Sequence, residues 1–424
     1  MKQTVDLIAR STGIAATAVF ILLLIWYLAR YFTESAGIAP LLPKKRPMRP
    51  HRTDTPLWQV LVIVLAAFAV SRMLMYLGGV LGAANEGRLA SYLSDPEQFW
   101  TRWDADHYVG LIKNWYVNEG DPRLHIVFFP LFPALGRLIY LVTGLSPSAC
   151  GYIVSNAAFI GCGVAMYRIA EMTYGKSAGM RAVWLMYLSP LTLFCSLPYT
   201  ESVFMLTTML AVLFARRRRF IPAVIMGALA ANSRMVGMAT AIPIFYEMLA
   251  ASEEKGSKKY ALSAVKVLPV ALGFVAYIAL NYQITGDPFR FMEYQSSHWS
   301  QNFGSLLNTL TYTINNAFEF HVESYITGVW LPQTIAIIAA LVLFVLMLRK
   351  AHPGDMGYSL VYFYCSVAPT WLLSGPRYLT AMYAAYPFMA RLFRESGAFV
   401  AVCLMLAVRC VIAGMMFAIQ GCIL

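Results

Sequence analysis

Residues 57–81, LWQVLVIVLAAFAVSRMLMYLGGVL, decide the fold class of this chain. A helix needs about 20 mostly apolar residues to cross the hydrocarbon core of a bilayer, and this stretch is long enough. Comparable apolar runs recur along the 424 residues, which are 59% hydrophobic and only 13% charged. A soluble protein would carry about a quarter charged residues. The sequence therefore predicts an all-α polytopic membrane protein.

The net charge of +12 comes from Lys and Arg residues that lie in short clusters beside the apolar runs. This distribution is typical of cytoplasmic loops under the positive-inside rule, and it argues against a nucleic-acid partner. The four arginines at 216–219 are interpreted as such a topology signal. The seven cysteines are scattered and show no metal-ligand spacing, so we expect small buried hydrophobes and no metal site.

The N-terminal part of the chain is predicted to be a unit of its own. Residues 14–28 are apolar and are not followed by a small-residue cleavage site, which favours a retained helix over a signal peptide. Residues 40–52, rich in Pro and cations, are expected to form a cytoplasmic linker. The predicted division is residues 1–56, a helix plus a basic linker, and residues 57–424, a transmembrane catalytic domain.

Alternation of the basic clusters predicts about twelve spans. Residues 129–142 are apolar but short and broken by Pro130, Pro133 and Arg137, which favours a re-entrant or interfacial helix in the first large outer loop. Seven ionisable residues that are distant in sequence then map to one membrane edge, away from the cytoplasm: Arg102, Asp104, Asp106, Glu201, Arg234, His298 and Arg377. A single composite site is the economical explanation of this grouping.

These residue types suit the transfer of a sugar from a lipid phosphate. A carboxylate at a membrane edge, such as Asp104, is expected to have a raised pKa and can act as a general base on a sugar hydroxyl. Trp103 and Tyr108 offer rings for the apolar face of a sugar. Arg234 and Arg377 offer charged, bidentate forks for a phosphate.

Structural alternatives stand beside these roles. Asp104 could pair locally with Arg102, and Asp106 could be merely solvated. Glu201 could offset the dipole at the start of a helix. Arg234 could pair with an acid of a neighbouring helix, which would offset the cost of a cation within an apolar stretch.

The order of several short motifs resembles the GPI mannosyltransferase 2 family (phosphatidylinositol glycan class V), and more closely its prokaryotic relatives. The resemblance covers about residues 57–395. It leaves residues 1–56 outside, and Trp115-Tyr116 stands where relatives often show Gly-Tyr. The motifs that carry it are Arg102-Trp103-Asp104-Ala105-x-His107-Tyr108, Phe128-Phe129-Pro130-Leu131-Phe132-Pro133, Tyr199-Thr200-Glu201-Ser202, Arg234 with Gly237, Gly286-Asp287-Pro288 with Gln295 and Trp299, and Pro376-Arg377-Tyr378 with Pro387.

The resemblance implies a GT-C-like, inverting mannosyltransferase that uses a polyprenyl- or dolichyl-phosphate mannose donor on the non-cytoplasmic face. It implies that the acidic residue of the first outer loop, here Asp104, is catalytic. We accordingly assign Asp104 and Asp106 as catalytic, with no cofactor beyond the lipid-linked donor. The residues expected to bind substrate are Arg102, Trp103, His107, Tyr108, Tyr199, Glu201, Arg234, Gln295, His298 and Arg377.

The acceptor stays open among a glycolipid, a protein hydroxyl and a cell-wall glycan. Three alternatives to a mannosyltransferase also stay open: a GT-C enzyme that uses another polyprenyl-phosphate sugar, a flippase or transporter of lipid-linked sugars, and a non-enzymatic assembly subunit. A transporter would need polar groups along a path at mid-membrane depth, ideally in two repeated halves, and the sequence shows no internal repeat.

Overall fold

The structure, a computed structural model, describes residues 2–36, 54–254, 256–319 and 325–419, and these residues form helices joined by short turns, without a β-strand. The predicted linker at 40–52 and Cys422 lie outside the described residues. The α-helices, numbered in chain order, are α1 (Lys2–Ala36), α2 (Leu57–Asn85), α3 (Leu89–Ser94), α4 (Glu97–Trp100), α5 (Asp104–Asn114), α6 (Leu131–Thr143), α7 (Pro147–Tyr174), α8 (Lys176–Tyr187), α9 (Glu201–Arg216), α10 (Phe220–Ser233), α11 (Ala241–Ala251), α12 (Gly256–Val267), α13 (Leu272–Thr285), α14 (Arg290–Ser297), α15 (Leu306–Glu319), α16 (Leu331–Met347), α17 (Pro353–Val367), α18 (Gly375–Thr380), α19 (Ala385–Leu392) and α20 (Ser396–Ala418). Short 3₁₀ turns at Asp121–Val127, Pro190–Cys195, Met235–Thr240 and Leu268–Ala271 and a π-helical turn at Ile326–Trp330 interrupt this series.

Within the described part of the chain, six helical segments are long and apolar enough to cross a membrane: Gln3–Arg30, Leu57–Asn85, Pro147–Tyr174, Gly256–Thr285, Ile326–Met347 and Ser396–Ala418. The count reaches up to 7 if a bent pair is included, so the expected twelve spans are not confirmed. The difference arises because several expected spans are broken by turns. The run at 183–197, for example, is split where α8 ends and the Pro190–Cys195 turn begins.

The segment at 129–142, predicted to be re-entrant or interfacial, lies in a sharply bent helix pair. The turn Asp121–Val127 and α6 meet at an angle of 119°. Pro130 lies immediately before α6 and cannot donate a backbone hydrogen bond, which favours a break there. The bend is the geometry of a broken span or a re-entrant loop.

Two long helices, α2 and α20, pack against each other through glycines. A side chain at Gly78 would overlap the carbonyl of Val411, and one at Gly414 would overlap the carbonyl of Met75. Gly82 lies against Met415 in the same seam. Gly78 and Gly82, one helical turn apart on α2, therefore mark a close helix contact.

The N-terminal helix is integrated with the later helices. α1 packs against α15, α16 and α17, and Phe20, Leu23 and Tyr27 join the main apolar core. The Arg30 guanidinium donates to the carbonyl of Leu348 at 2.9 Å. A division at residue 56 stays a prediction, and α1 contributes directly to the packing of residues after it.

Arg216 differs from its neighbours in the basic run at 216–219. Its side chain is 6% exposed, and its Nη2 lies 2.5 Å from Oδ2 of Asp355 on α17. Asp355 also accepts from the hydroxyl of Tyr383 at 2.7 Å. Arg216 is thus a buried ion-pair partner as well as the first residue of a basic cluster.

Candidate active site

Four charged side chains from distant parts of the chain meet in one cluster, which we call the charged quartet: Asp104, Glu201, Arg234 and Arg377. Arg377 donates from Nη1 to Oδ2 of Asp104 at 2.9 Å and from Nε to Oε1 of Glu201 at 2.7 Å. Arg234 donates from Nη1 to the same Oε1 of Glu201 at 3.1 Å. The structure thus brings together four of the residues that the sequence assigns to the site.

Both carboxylates of the quartet are the first residues of helices. Asp104 begins α5 and Glu201 begins α9. The positive end of the helix dipole stabilises a negative charge at these positions. Trp103, immediately before Asp104, has a φ of 55°, which is not a right-handed helical conformation. The helix α5 therefore begins at Asp104.

Both arginines are held by short, well-defined turns. Arg234 is extended, with a φ of −156°, between the end of α10 and the 3₁₀ turn Met235–Thr240. The hydroxyl of Thr200 lies 2.7 Å from that of Ser233, which ties the start of α9 to the end of α10. This bond sets Glu201 and Arg234 side by side. Arg377 is on the short helix α18.

The members of the quartet differ strongly in exposure. The Glu201 side chain is 2% exposed and that of Arg377 is 6% exposed, whereas Asp104 is 34% exposed. Oε2 of Glu201 is buried without a hydrogen-bond partner among the described residues. Two cations and two anions balance, which a buried cluster requires. Asp104 is therefore the carboxylate of the quartet that a substrate can reach.

Aromatic rings surround the arginines. The Arg377 guanidinium lies 4.6 Å from the ring centre of Tyr199 and 4.9 Å from that of Phe194. Arg234 lies 5.0 Å from the ring of Tyr378. The hydroxyl of Tyr199 donates to the carbonyl of Arg102 at 2.8 Å, which connects this layer to the residue before the Trp103 turn. The rings shield the guanidinium groups from water, and the negative face of each ring attracts their positive charge.

Tyr108 differs from the sequence expectation of an open sugar platform. Its side chain is only 4% exposed, and its ring packs on Phe128 and Phe132 at 5.1 and 5.2 Å. The reason is its position one turn after Asp104, on the inward face of α5. In this conformation Tyr108 supports α5 from beneath and offers almost no surface to a sugar.

Arg102 is bonded to the last helix and not to Asp104. Its Nη1 donates to the carbonyls of Phe417 and Ala418 at 2.9 and 3.3 Å. A cation at the C-terminal end of α20 satisfies carbonyls that have no partner within the helix. The local Asp104–Arg102 pair is thus replaced by the long-range Asp104–Arg377 pair. Binding of substrate by Arg102 stays a prediction.

Trp103 and Asp106 lie at the exposed edge of α5. The Trp103 side chain is 37% exposed and its ring meets Phe417 edge-on at 5.0 Å. Asp106 is exposed, and partial loss of hydration raises the pKa of its carboxyl, with His107 and Arg102 opposing the shift. The solvated alternative for Asp106 therefore fits its exposure, and a catalytic role for it stays a prediction.

The remaining predicted residues form a rim beside the quartet. Nδ1 of His107 lies 3.0 Å from Nε2 of His125, and the ring of His107 is 5.2 Å from that of Phe128. Phe128 in turn meets Trp299 at 6.1 Å, which brings the loop after α14 to the same edge.

Gln295, on α14, and His298, just after it, contact residues close to them in sequence. The Gln295 amide donates to Gln301 at 2.6 Å, and His298 packs on Trp299. Trp299, in the loop after α14, contacts Phe128 and so links this loop to the segment before α6. Substrate binding by Gln295 and His298 stays a prediction.

Sequence reasoning missed three residues that shape the site: His125, Phe194 and Arg72. Arg72 is within the apolar run at 57–81, and it donates to the carbonyl of Thr192 at 3.2 Å and to the hydroxyl of Ser196 at 2.5 Å. It thereby holds the Pro190–Cys195 turn, which carries Phe194 beneath Arg377. A cation inside an apolar span was the available signal. The sequence contains no comparable signal for Phe194 or His125.

Across the described ranges, no group of three or more His, Cys, Asp or Glu side chains is arranged to hold a metal ion. The ionisable groups of the site instead form ion pairs and the His107–His125 contact. The chemistry that these residues can supply themselves is acid–base catalysis and anion binding.

No protein-family profile matches this chain, and no curated protein matches it in sequence. Among solved structures, the apo oligosaccharyltransferase of Archaeoglobus fulgidus has a TM-score of 0.47 and 14% identity, covering 87% of this chain and 56% of that one. The archaeal oligosaccharyltransferase AglB of the same organism, in complex with an inhibitory peptide and a dolichol-phosphate, has a TM-score of 0.47 and 14% identity over 86% of this chain and 56% of that one. This chain thus spans little more than half the length of either protein. The likeness concerns the arrangement of helices, and what those proteins bind is a property of those proteins.

Proposed function

We propose that this protein is a membrane glycosyltransferase that moves mannose from a polyprenyl-phosphate donor to an acceptor hydroxyl at the non-cytoplasmic face. The observation that carries the proposal is the charged quartet, in which a reachable carboxylate, Asp104, lies against a buried arginine, Arg377, 2.9 Å away. A base and an anion-binding group are thereby adjacent, as the reaction requires.

The two arginines support binding of the donor phosphate. Arg234 and Arg377 converge on one oxygen of Glu201, so their guanidinium groups lie close together. Guanidinium groups bind phosphate oxygens through charge-assisted hydrogen bonds. In the transition state they would stabilise the charge that develops on the leaving phosphate.

Asp104 supports activation of the acceptor. It is 34% exposed, at the start of α5, and close enough to Arg377 to face a phosphate bound there. In the proposed step, Asp104 takes the proton of the acceptor hydroxyl, and the oxygen forms a bond to the anomeric carbon. The bond from that carbon to the phosphate oxygen breaks, and its electron pair stays on the phosphate. Attack opposite the leaving group inverts the anomeric carbon.

The exposed rim supports contact with the sugar. Trp103 presents part of its ring beside Asp104, and Trp299 lies beyond Phe128 at the same edge. Aromatic faces bind the apolar side of a sugar ring, while His107 can hydrogen-bond its hydroxyls. We propose no cofactor and no metal beyond the lipid-linked donor.

Mannose is proposed on the motif order that resembles the GPI mannosyltransferase 2 family, together with the GT-C-like mode of catalysis. The acceptor is a glycolipid, a protein or a cell-wall glycan. A donor with another sugar would use the same quartet, because the phosphate and not the sugar meets the arginines.

The direct test is transfer from radiolabelled polyprenyl-phosphate mannose, with matched polyprenyl-phosphate glucose as the control donor, by purified protein in membranes supplied with acceptor lipids or glycans. Transfer of mannose that is lost in Asp104→Asn supports the proposal. Full activity in a folded Asp104→Asn protein would overturn the assignment of the base.

A flippase or transporter is the second candidate. The buried Arg216–Asp355 pair lies at the end of α9 opposite Glu201, so charged groups occur at both ends of this helix; a transporter would also need polar groups along a path between them. Movement of labelled donor across proteoliposomes without any acceptor would favour transport. An assembly subunit would instead show altered complex formation, with unchanged glycan transfer, when quartet residues are replaced.

A further inference from the structure

We infer that the donor phosphate takes the place of Asp104 on Arg377, so that Asp104 becomes an effective base only when the donor is bound. This inference rests on the proposed function and adds to it a regulation of the same site. It follows from the way the quartet is paired and exposed.

Of the two carboxylates that pair with Arg377, Asp104 can be displaced by a phosphate more easily than Glu201 can. Glu201 is 2% exposed, accepts from both Arg377 and Arg234, and would be left buried and unpaired if it moved. Asp104 is 34% exposed and, among the described residues, pairs with Arg377 alone. Water can therefore solvate Asp104 after it leaves Arg377, whereas it cannot reach Glu201 as easily.

The charge balance points the same way. With Asp104 in place, the quartet contains two cations and two anions, and a donor phosphodiester would add a third anion. If Asp104 leaves, the phosphate, Glu201, Arg234 and Arg377 again form a balanced set. A buried site that stays neutral avoids the cost of an uncompensated charge.

The exchange changes what Asp104 can do. While Oδ2 of Asp104 accepts from Nη1 of Arg377 at 2.9 Å, the ion pair holds this carboxylate on the arginine and away from an acceptor hydroxyl. Released from Arg377, the carboxylate is free to accept a hydrogen bond from the acceptor hydroxyl and then its proton. Binding of the donor thus makes Asp104 available as the base.

The same pair can reset the site after transfer. Asp104 then carries the proton from the acceptor and is neutral, while the product phosphate monoester gains negative charge and holds the arginines. Loss of that proton to water restores the Asp104 carboxylate. The carboxylate then competes with the product for Arg377 and favours product release.

The test is equilibrium binding of a polyprenyl phosphate, without sugar, to purified protein in lipid nanodiscs. In Asp104→Asn the competitor for Arg377 has lost its charge, so we expect binding roughly fivefold tighter than wild type, the order of a partly exposed ion pair. Glu119→Gln, which removes an exposed carboxylate of the same outer segment, is the matched control and should bind as wild type does. Asp104→Ser serves as a second variant if the amide is poorly folded.

The outcomes separate the exchange from the proposed function. Saturable binding by wild type, weakened at least tenfold in Arg377→Gln, with Asp104→Asn equal to or weaker than wild type, overturns the exchange and leaves the phosphate site standing. No saturable binding by wild type overturns the phosphate site and the exchange together. Tighter binding in Asp104→Asn, with Glu119→Gln unchanged, supports both.

Discussion

Oδ2 of Asp104 lies 2.9 Å from Nη1 of Arg377, although 273 residues separate the two along the chain. The pair joins the start of α5 to the short helix α18. In the proposed reaction, Asp104 takes the proton of the acceptor hydroxyl and Arg377 binds the leaving phosphate. The predictions below test the pair, its supports and its counterpart at the far end of α9.

Replacing Asp104 by Asn should abolish most of the sugar transfer. General base catalysis contributes about 10²–10⁴-fold, so a loss of roughly this size is expected in kcat, measured with labelled donor at saturating acceptor. The amide keeps the size of the side chain and Asp104 is 34% exposed, so thermal unfolding in detergent should change less than in Glu201→Gln. A loss below about tenfold in a folded protein would contradict a role for Asp104 as the base.

Replacing Glu201 by Gln should destabilise the protein more than replacing Asp104 does. The change leaves Arg234 and Arg377 facing each other without their shared carboxylate in a buried place. Removing one partner of a buried ion pair costs about 3–5 kcal/mol. Denaturant unfolding of both variants, followed by tryptophan fluorescence in the same detergent, measures the difference. Equal stability would mean that Glu201 is not the anchor of the quartet.

Replacing Arg102 by Gln should loosen the end of α20 without weakening donor binding. The guanidinium bonds to the carbonyls of Phe417 and Ala418, and charge-assisted bonds of this kind contribute about 1.5–3 kcal/mol each. Lower stability with an unchanged KM for the donor is expected. A raised KM at unchanged stability would instead support the direct substrate contact that the sequence predicts.

Replacing Gly237 by Ala should displace Arg234. A side chain at this position would overlap the carbonyl group of Ala230 on α10, and the backbone of Gly237 also donates to the carbonyl of Arg234 at 2.8 Å. The turn that orients Arg234 must therefore shift, and binding of a polyprenyl phosphate should weaken. Gly397→Ala is the control, since its new side chain meets open space. Unchanged binding in Gly237→Ala would show that the turn does not position Arg234.

Replacing Asp355 by Asn should reduce stability with little effect on donor KM. Arg216 would lose the carboxylate 2.5 Å away in a buried place and keep Glu247 at 3.9 Å, at a cost of at most about 3–5 kcal/mol. Glu254→Gln breaks an exposed pair with Lys258 and should cost no more than about 0.5 kcal/mol. Unfolding curves for the two variants, with donor KM measured alongside, make the comparison.

Residue type and alternation of charge were enough to assign Asp104, Glu201, Arg234 and Arg377 to one edge of the molecule. They were not enough to pair them, because pairing depends on helix packing that no local pattern specifies. The alternative in which Arg102 pairs with Asp104 is therefore not realised, because the Arg102 guanidinium bonds instead to the carbonyls of Phe417 and Ala418 on α20. Helix packing also buries Tyr108, because its ring packs on Phe128 and Phe132. The expected twelve spans are not confirmed in the described residues, because turns such as the one that begins at Pro190 break apolar runs without lowering their hydropathy.

Helix α9 has Glu201 at one end and Arg216 at the other, and each is held by buried ion pairs. An α-helix rises 1.5 Å per residue, so these two anchors are about 22 Å apart, less than the roughly 30 Å thickness of a hydrocarbon core. The two anchors cannot both reach the headgroup regions of an undeformed bilayer. Because each anchor is an ion pair buried within the protein, α9 can end inside the hydrocarbon depth without exposing an unpaired charge to lipid.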